Sequence, residues 1–222
     1  MLEFKAIRKQ IETLTSDIIK LSLCNHQHYP SITPSPGGFI DISFSSQGDL
    51  SIVLKNQPYK EIYTELDRTQ SYNMKMIDGA LIQMMYRFKD NILQNHRLAF
   101  FPSPYLDEFQ NNPEIYEDDE IFADIIMKNI VIFPLRFDYV ANDEIFRELD
   151  HPRSHLTLGQ YMNCRIPVTA PLTPFAFIDF ILRHFYNTAY RKYSVDLTVF
   201  PERFPDTIAD AERGIIHLHL PL

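Results

Sequence analysis

Two neighbouring stretches hold most of the side chains able to do acid/base or phosphate chemistry. RFDYV supplies Arg136, Asp138 and Tyr139, and DHPRSHLTLG supplies Asp150, His151, Arg153 and His155. Acid/base cleavage of a phosphodiester needs a proton acceptor, a proton donor and a cation beside the phosphate. This set contains all three if the two stretches are neighbouring strands. Along an extended chain rising about 3.3 Å per residue, His151 and His155 lie roughly 13 Å apart, too far to ligate one metal directly. Arg153 and His155 share a face at about 6.6 Å by the same rise. They could flank a scissile phosphate, or hold Asp138 in a charge-assisted bond. Pro152 can turn the chain and bring His151 closer than an ideal strand permits. The plain alternative is an ordered polar network at a sheet edge.

Other groupings are weaker. His217 and His219 have the i, i+2 spacing that lets two imidazoles of one strand reach a common metal, but spacing indicates no third ligand. Cys24, His26 and His28 form a short ligand-type cluster for which Cys164 is the sole remaining cysteine. A P-loop, a Gly-rich dinucleotide turn and a G-x-S-x-G elbow are all missing, so nucleotide hydrolysis and hydrolase chemistry have no local support and no cofactor is indicated. An R-x₄₋₆-H ribonuclease spacing fails too: three residues separate Arg147 from His151, and Arg183 adjoins His184.

The elements that must position these residues can be read from periodicity. Phe4, Ile7, Ile11, Leu14, Ile18 and Leu21 mark an amphipathic helix over residues 2–23, expected to pack on the chain's own sheet. YPSITPSPGG, residues 29–38, reads as turn chemistry excluding regular structure. FIDISFSS and DLSIVLKN read as a hairpin closed by QGD, with a short helix over 58–68 after Pro58. GALIQMMYRF and HRLAFFPSP are antiparallel strands joined by KDNILQN. NIVIFPLRFDYV and SHLTLGQY are further strands, the first long enough to be central. Thr173 and Pro174 start a helix whose face runs through Phe177, Ile178, Ile181, Leu182, Phe185, Tyr186 and Ala189. RGIIHLHLP should be a last strand. Strands grouped between terminal helices predict one α+β domain over residues 1–222, a mainly antiparallel curved sheet with an N-terminal and a C-terminal helix packed on it.

Composition bounds the function classes. The chain has 222 residues, 45% of them hydrophobic, with 17 Phe, 12 Tyr and no Trp, enough for a sizeable core. No window approaches the roughly 18 apolar residues of a membrane span, and the start carries no signal-peptide core. Two cysteines fit a reducing cytosol, so the expectation is a cytoplasmic protein without membrane association. The net charge of −8 is uneven. Asp107, Glu108, Glu114, Glu117, Asp118, Asp119, Glu120 and Asp124 fall in a stretch without a basic residue and account for the whole excess. That stretch reads as an exposed loop with a helical turn from Asp118 to Met127. Elsewhere charge is balanced, with no Lys/Arg stripe to drive autonomous nucleic-acid binding.

Four blocks, IDGALIQMMYRF, HRLAFFPSP, FPLRFDYV and HPRSHLTLGQYMNCRIPVTAPLTPFAFIDFILRHFY, resemble the bacterial domain-of-unknown-function family number 2290, over about residues 72 to 190. The resemblance implies the smaller component of a two-gene antiphage system whose larger component is a helicase. It implies no reaction and no residue roles. Three functions then compete. The first is an adaptor that docks on the helicase through the acidic loop or an exposed helix face. The second is an effector that cuts nucleic acid with Asp138, Arg153 and His155 when the motor delivers it. The third is a metabolic enzyme with a small-molecule pocket.

Overall fold

The computed structural model describes residues 2–44, 57–105, 133–161 and 163–220. Helix α1, Phe4–Lys20, forms on its apolar stripe: Ile7, Ile11, Leu14 and Ile18 are all buried. β1 (Cys24–Gln27), β2 (Ser31–Ser35) and β3 (Phe39–Ser43) follow, then α2 (Tyr59–Arg68), β4 (Met74–Met76), β5 (Leu81–Lys89) and β6 (Ile92–Phe101). β7 (Leu135–Val140), β8 (Ser154–Leu158) and β9 (Ile166–Pro167) complete the strands. The chain ends with α3 (Pro174–Phe185), α4 (Asn187–Tyr193) and a short α5 (Asp210–Arg213). The predicted α+β class holds. The strands form one open antiparallel sheet in the order β1-β4-β5-β6-β7-β8-β9, with β3 pairing the far half of β5 and β2 pairing β3.

Register assigns each side chain to a face. Ile82, Met84, Tyr86 and Phe88 of β5 align with Leu98 and Phe100 of β6, Leu135 and Phe137 of β7 and Leu156 of β8. This face is covered by α1 and α3, with Phe177, Ile178, Ile181 and Leu182 buried against it. Each such side chain taken out of water stabilises the fold by about 1.5–3 kcal/mol. α3 starts as its sequence indicates, the Ala176 amide donating to the Thr173 hydroxyl at 3.2 Å with Pro174 next to the cap. It stops sooner than its apolar stripe suggests, because Tyr186 leaves helical geometry and donates its hydroxyl to both Asp78 oxygens at 2.9 Å.

The opposite face is covered over one end only. There α2 places Ile62, Tyr63 and Leu66 on Leu81, Ala99 and Phe101 in a second, smaller core. Beyond α2 this face carries the polar residues described below.

Several sequence expectations are corrected. Residues 31–35 form a strand despite Pro34, because β2 is an edge strand among the described residues, and its outer side needs no amide donor. β3 accordingly pairs with β2 and β5; the return strand predicted from DLSIVLKN falls on residues 45–56, outside the described residues. The β5–β6 connection shrinks from KDNILQN to Asp90 and Asn91, both with positive φ (50° and 61°), a hairpin geometry those two residue types tolerate. RGIIHLHLP makes no strand. It contributes a single parallel bridge, Leu218 to Val168, since Pro167 has no amide to extend a ladder. The acidic segment lies almost wholly within 106–132, also outside the described residues. No helix among the described residues is long and apolar enough to cross a membrane.

Candidate functional site

Strand alternation sends one row of each central strand to the open part of the second face. Asp138 of β7 sits opposite Arg97 of β6 on one side and His155 of β8 on the other. Arg136 is two residues along the same strand and so on the same face. Arg87 of β5 sits opposite Asp41 of β3. Together with His151 and Arg165 from flanking loops, these residues line a cleft of about 540 Å³. That is within the range of small-ligand sites.

The centre is an ion-paired group. Arg136 Nε donates to Asp138 Oδ2 at 2.5 Å and Arg97 Nε approaches Oδ1 at 3.4 Å. The Asp138 side chain is 12% exposed. Burial alone would raise its pKa, but Arg136, then Arg97 and His155, hold the carboxyl below its ordinary value of 3.8. At the cleft's far side Arg87 grips Asp41 through both oxygens at 2.6 and 2.9 Å. Asp41 likewise stays low because its bonds to Arg87 and Ser35 outweigh its burial.

His155 is 3% exposed. Its Nδ1 lies 2.9 Å from the Pro152 carbonyl, which can only accept, so the ring proton sits on Nδ1 and Nε2 bears the lone pair. Nε2 faces Asp138 Oδ2 at 3.9 Å. Both ring nitrogens are therefore aimed at protein groups. Burial lowers the pKa more than Asp138 and Pro152 raise it, which keeps the ring neutral near pH 7. His151 contacts it edge to face with ring centroids 5.0 Å apart, not the 13 Å of an unbroken strand. The chain folds back before β8 through an Arg147–His151 backbone bridge, with Leu149 at positive φ (66°). Burial, then the charge of Arg165, lowers the pKa of His151 as well.

Arg136, Asp138, His151 and His155 are thus brought together. Three residues predicted with them do not join that group. Arg153 turns away to Asp143 and the Ala141 carbonyl and stacks on Phe146 with its guanidinium 4.8 Å from the ring centre. It braces the 141–153 loop, because β8 begins one residue later and strand alternation does not reach it. Tyr139 borders the cleft, but its side chain alternates to the core face, where its ring packs on His96 at 6.0 Å. Asp150 stays exposed in the loop that turns ahead of Pro152.

Sequence reasoning missed Asp41, Arg87, Arg97 and Arg165. A signal existed for three of them: Asp41, Arg87 and Arg97 are charged positions in the interior of strands, each at the parity opposite to the core residues. Their partners lie about 40 or more positions away in sequence, so spacing could not join them. The ligand-type groups Cys24/His26/His28 and His217/His219 fare differently. His26 meets the Tyr72 hydroxyl at 3.1 Å, and a bulge between Cys24 and His26 breaks the strand's alternation. His217 Nδ1 bonds the Ile215 carbonyl at 2.9 Å. Among the described residues no group of three or more His, Cys, Asp or Glu is placed to hold a metal ion.

With both imidazoles neutral, the cleft sets four guanidinium groups against two carboxylates. An arrangement with that positive excess, recessed in a protein-walled groove, attracts and orients oxyanions. Searches of curated proteins and of solved structures return no match. The family described as "Uncharacterized conserved protein (DUF2290)" matches residues 23–220, nearly the whole sequence, and the chain belongs to that family.

Proposed function

We propose that this chain is the small cytosolic partner of a helicase in bacterial antiphage defence, an adaptor that docks on the motor and holds the phosphate backbone of a single strand in the Arg87–Arg97–Arg136–Arg165 cleft. The defence setting follows from the family resemblance; the strand-holding role rests on one observation, the excess of guanidinium over carboxylate in a cleft of about 540 Å³. Arg87, Arg97 and Arg136 stand on three successive strands, each two residues further along in register, so the row runs diagonally over two steps of about 4.8 Å across the sheet and about 13 Å along it, roughly 16 Å in all. A row of that length suits a ligand with more than one phosphate. The chain's overall acidity offsets the attraction at a distance, so the chain alone should bind a strand weakly and delivery by the motor should raise its occupancy.

Two measurements test this. Co-purification with the helicase at low and high salt addresses docking, and absence of association under both conditions removes it. Titration of labelled single strands with wild type and an Arg87→Gln, Arg97→Gln variant addresses the cleft. The expected result is weaker binding and a smaller salt slope, by about 0.7 for each phosphate that is no longer neutralised.

Cleavage of the strand is a second reading, favoured by the placement of His155 directly across from Asp138. Incubating the purified pair with labelled DNA and RNA, with and without divalent metal, tests it. Equal product from wild type and a folded His155→Ala variant removes His155 from the chemistry. Protection against phage that survives in a stable Arg153→Ala, His155→Ala double variant retires the cutting reading as a whole.

A further inference from the structure

We propose that the end of the cleft formed by Arg165 and His151 is a seat for one phosphate group, the point at which a strand is anchored before the rest of the cleft engages it. This rests on the reading that the cleft holds a phosphate-bearing strand, and it says where and by what.

The four cleft arginines are not equivalent. Arg87 is committed to Asp41 through two bonds, and Arg97 and Arg136 share Asp138. An incoming phosphate must compete with those carboxylates. Arg165 has no carboxylate within ion-pairing distance among the described residues; its guanidinium makes one long bond, 3.4 Å, to the Asp150 carbonyl. A guanidinium carries five N–H donors in a fixed fork, so most of its capacity is unspent. The strongest unanswered positive charge in the groove is therefore at this end.

His151 completes the seat. Its ring is set against His155 by the turn ahead of Pro152, and its one backbone contact is with its own peptide, no bond to another residue being present among those described. His155, by contrast, has both nitrogens directed at Pro152 and Asp138. His151 is the imidazole available to a ligand, either donating to a phosphate oxygen or, once protonated, adding a second charge beside Arg165. The charged and titratable groups that face it are Arg165, His155, Asp138 and Asp150. Burial and then Arg165 disfavour its proton, and a bound oxyanion reverses that balance. Strand binding is thus coupled to proton uptake at His151 and tightens as pH falls.

A strand offers two kinds of phosphate, the internal diester and a terminal monoester, and the shared chemistry is a tetrahedral oxyanion. The experiment is a fluorescence-anisotropy titration of the full-length chain at low salt, at pH 6 and pH 8. Its probes are short labelled single strands ending in a 5′-hydroxyl or a 5′-phosphate. Arg165→Gln should weaken binding about ten-fold, and Arg165→Lys should recover part of that loss because the charge returns without the fork. His151→Gln should flatten the pH dependence while changing affinity at pH 8 less. A loss confined to the 5′-phosphate strand assigns the seat to a terminal phosphate, and an equal loss on both assigns it to a backbone diester. Arg8→Gln, on α1 over the sealed face and outside the cleft, should bind as wild type does. Wild-type affinity in a folded Arg165→Gln variant overturns the seat and leaves the cleft reading standing. No binding of either strand by the wild-type chain overturns the cleft reading and the seat together.

Discussion

The two faces of the central sheet solve opposite problems with the same strands. On one, α1 and α3 close over Met84, Phe88, Leu98 and Phe137, and two buried polar side chains bond the backbone there: Tyr86 donates to the Leu172 carbonyl at 3.0 Å, and His96 Nε2 accepts the Leu172 amide at 3.1 Å, which leaves His96 Nδ1 buried without a partner among the described residues. On the other, α2 covers only the end near Leu81 and Phe101, and the part that no helix among the described residues covers carries Asp41, Arg87, Arg97, Arg136, Asp138 and His155, the last buried at the cleft's floor. A sheet needs one sealed face to be stable, and once that is provided the second face is free to carry charge. Ion pairing on the open face sets side-chain positions more than it adds stability, because partly exposed pairs contribute little net energy.

That contrast predicts how substitutions divide. The largest effect belongs to the sealed face: Phe177→Ala should cost about 3–5 kcal/mol in urea unfolding, from lost transfer energy and the cavity left behind. It should weaken strand binding only as far as it unfolds the chain.

His96 comes next. Burial holds its pKa at about 4 against 6.5 when unfolded, so the folded state favours the neutral ring. A depressed pKa contributes stability that is present above pH 6.5 and is lost as pH falls towards 4, roughly 3 kcal/mol across that window. Chemical unfolding at a series of pH values should show the slope, and a folded His96→Gln variant should lose most of it. An unchanged slope would place the acid sensitivity elsewhere.

Asp138→Asn tests the open face and should separate two quantities that move together on the sealed one. Removing the carboxylate leaves Arg97 and Arg136 without their counter-charge, at a cost of about 1–3 kcal/mol near neutral pH. Because the folded pKa of Asp138 lies below 3.8, the difference from wild type should vanish as pH drops through that folded value, where the wild-type carboxyl is protonated too. The same change frees two guanidinium groups, so single-strand affinity should rise. Lower stability with lower affinity would mean that Asp138 serves the ligand directly.

The smallest effect is expected at Arg153. Its pairing with Asp143 is at the surface and its stacking on Phe146 is local, so Arg153→Ala should cost about 1 kcal/mol or less. Strand affinity should stay near wild type in the same anisotropy titration, and a drop would show that the 141–153 loop positions His151.

Local order carries far in this chain. The apolar periodicity of α1, the Thr173–Pro174 start of α3, the β5–β6 pair and the antiparallel α+β arrangement are all visible in residue spacing, because each is set by neighbours within one or two turns or one hairpin. The family resemblance, read over about residues 72 to 190, extends to 23–220. At the site, the joining of Asp138 with His155 was legible because β7 and β8 adjoin in both sequence and sheet, with alternation placing the two side chains on one face. The rest was settled by long-range register. Asp41, Arg87 and Arg97 reach Asp138's face through strand pairings that no local pattern specifies, and Arg165 arrives from beyond β8. Arg153 leaves the group, and His151 joins it at 5.0 Å, because the chain turns before β8 starts. Periodicity tells a residue which side of its own strand it occupies; only the packed sheet decides which other strands share that side.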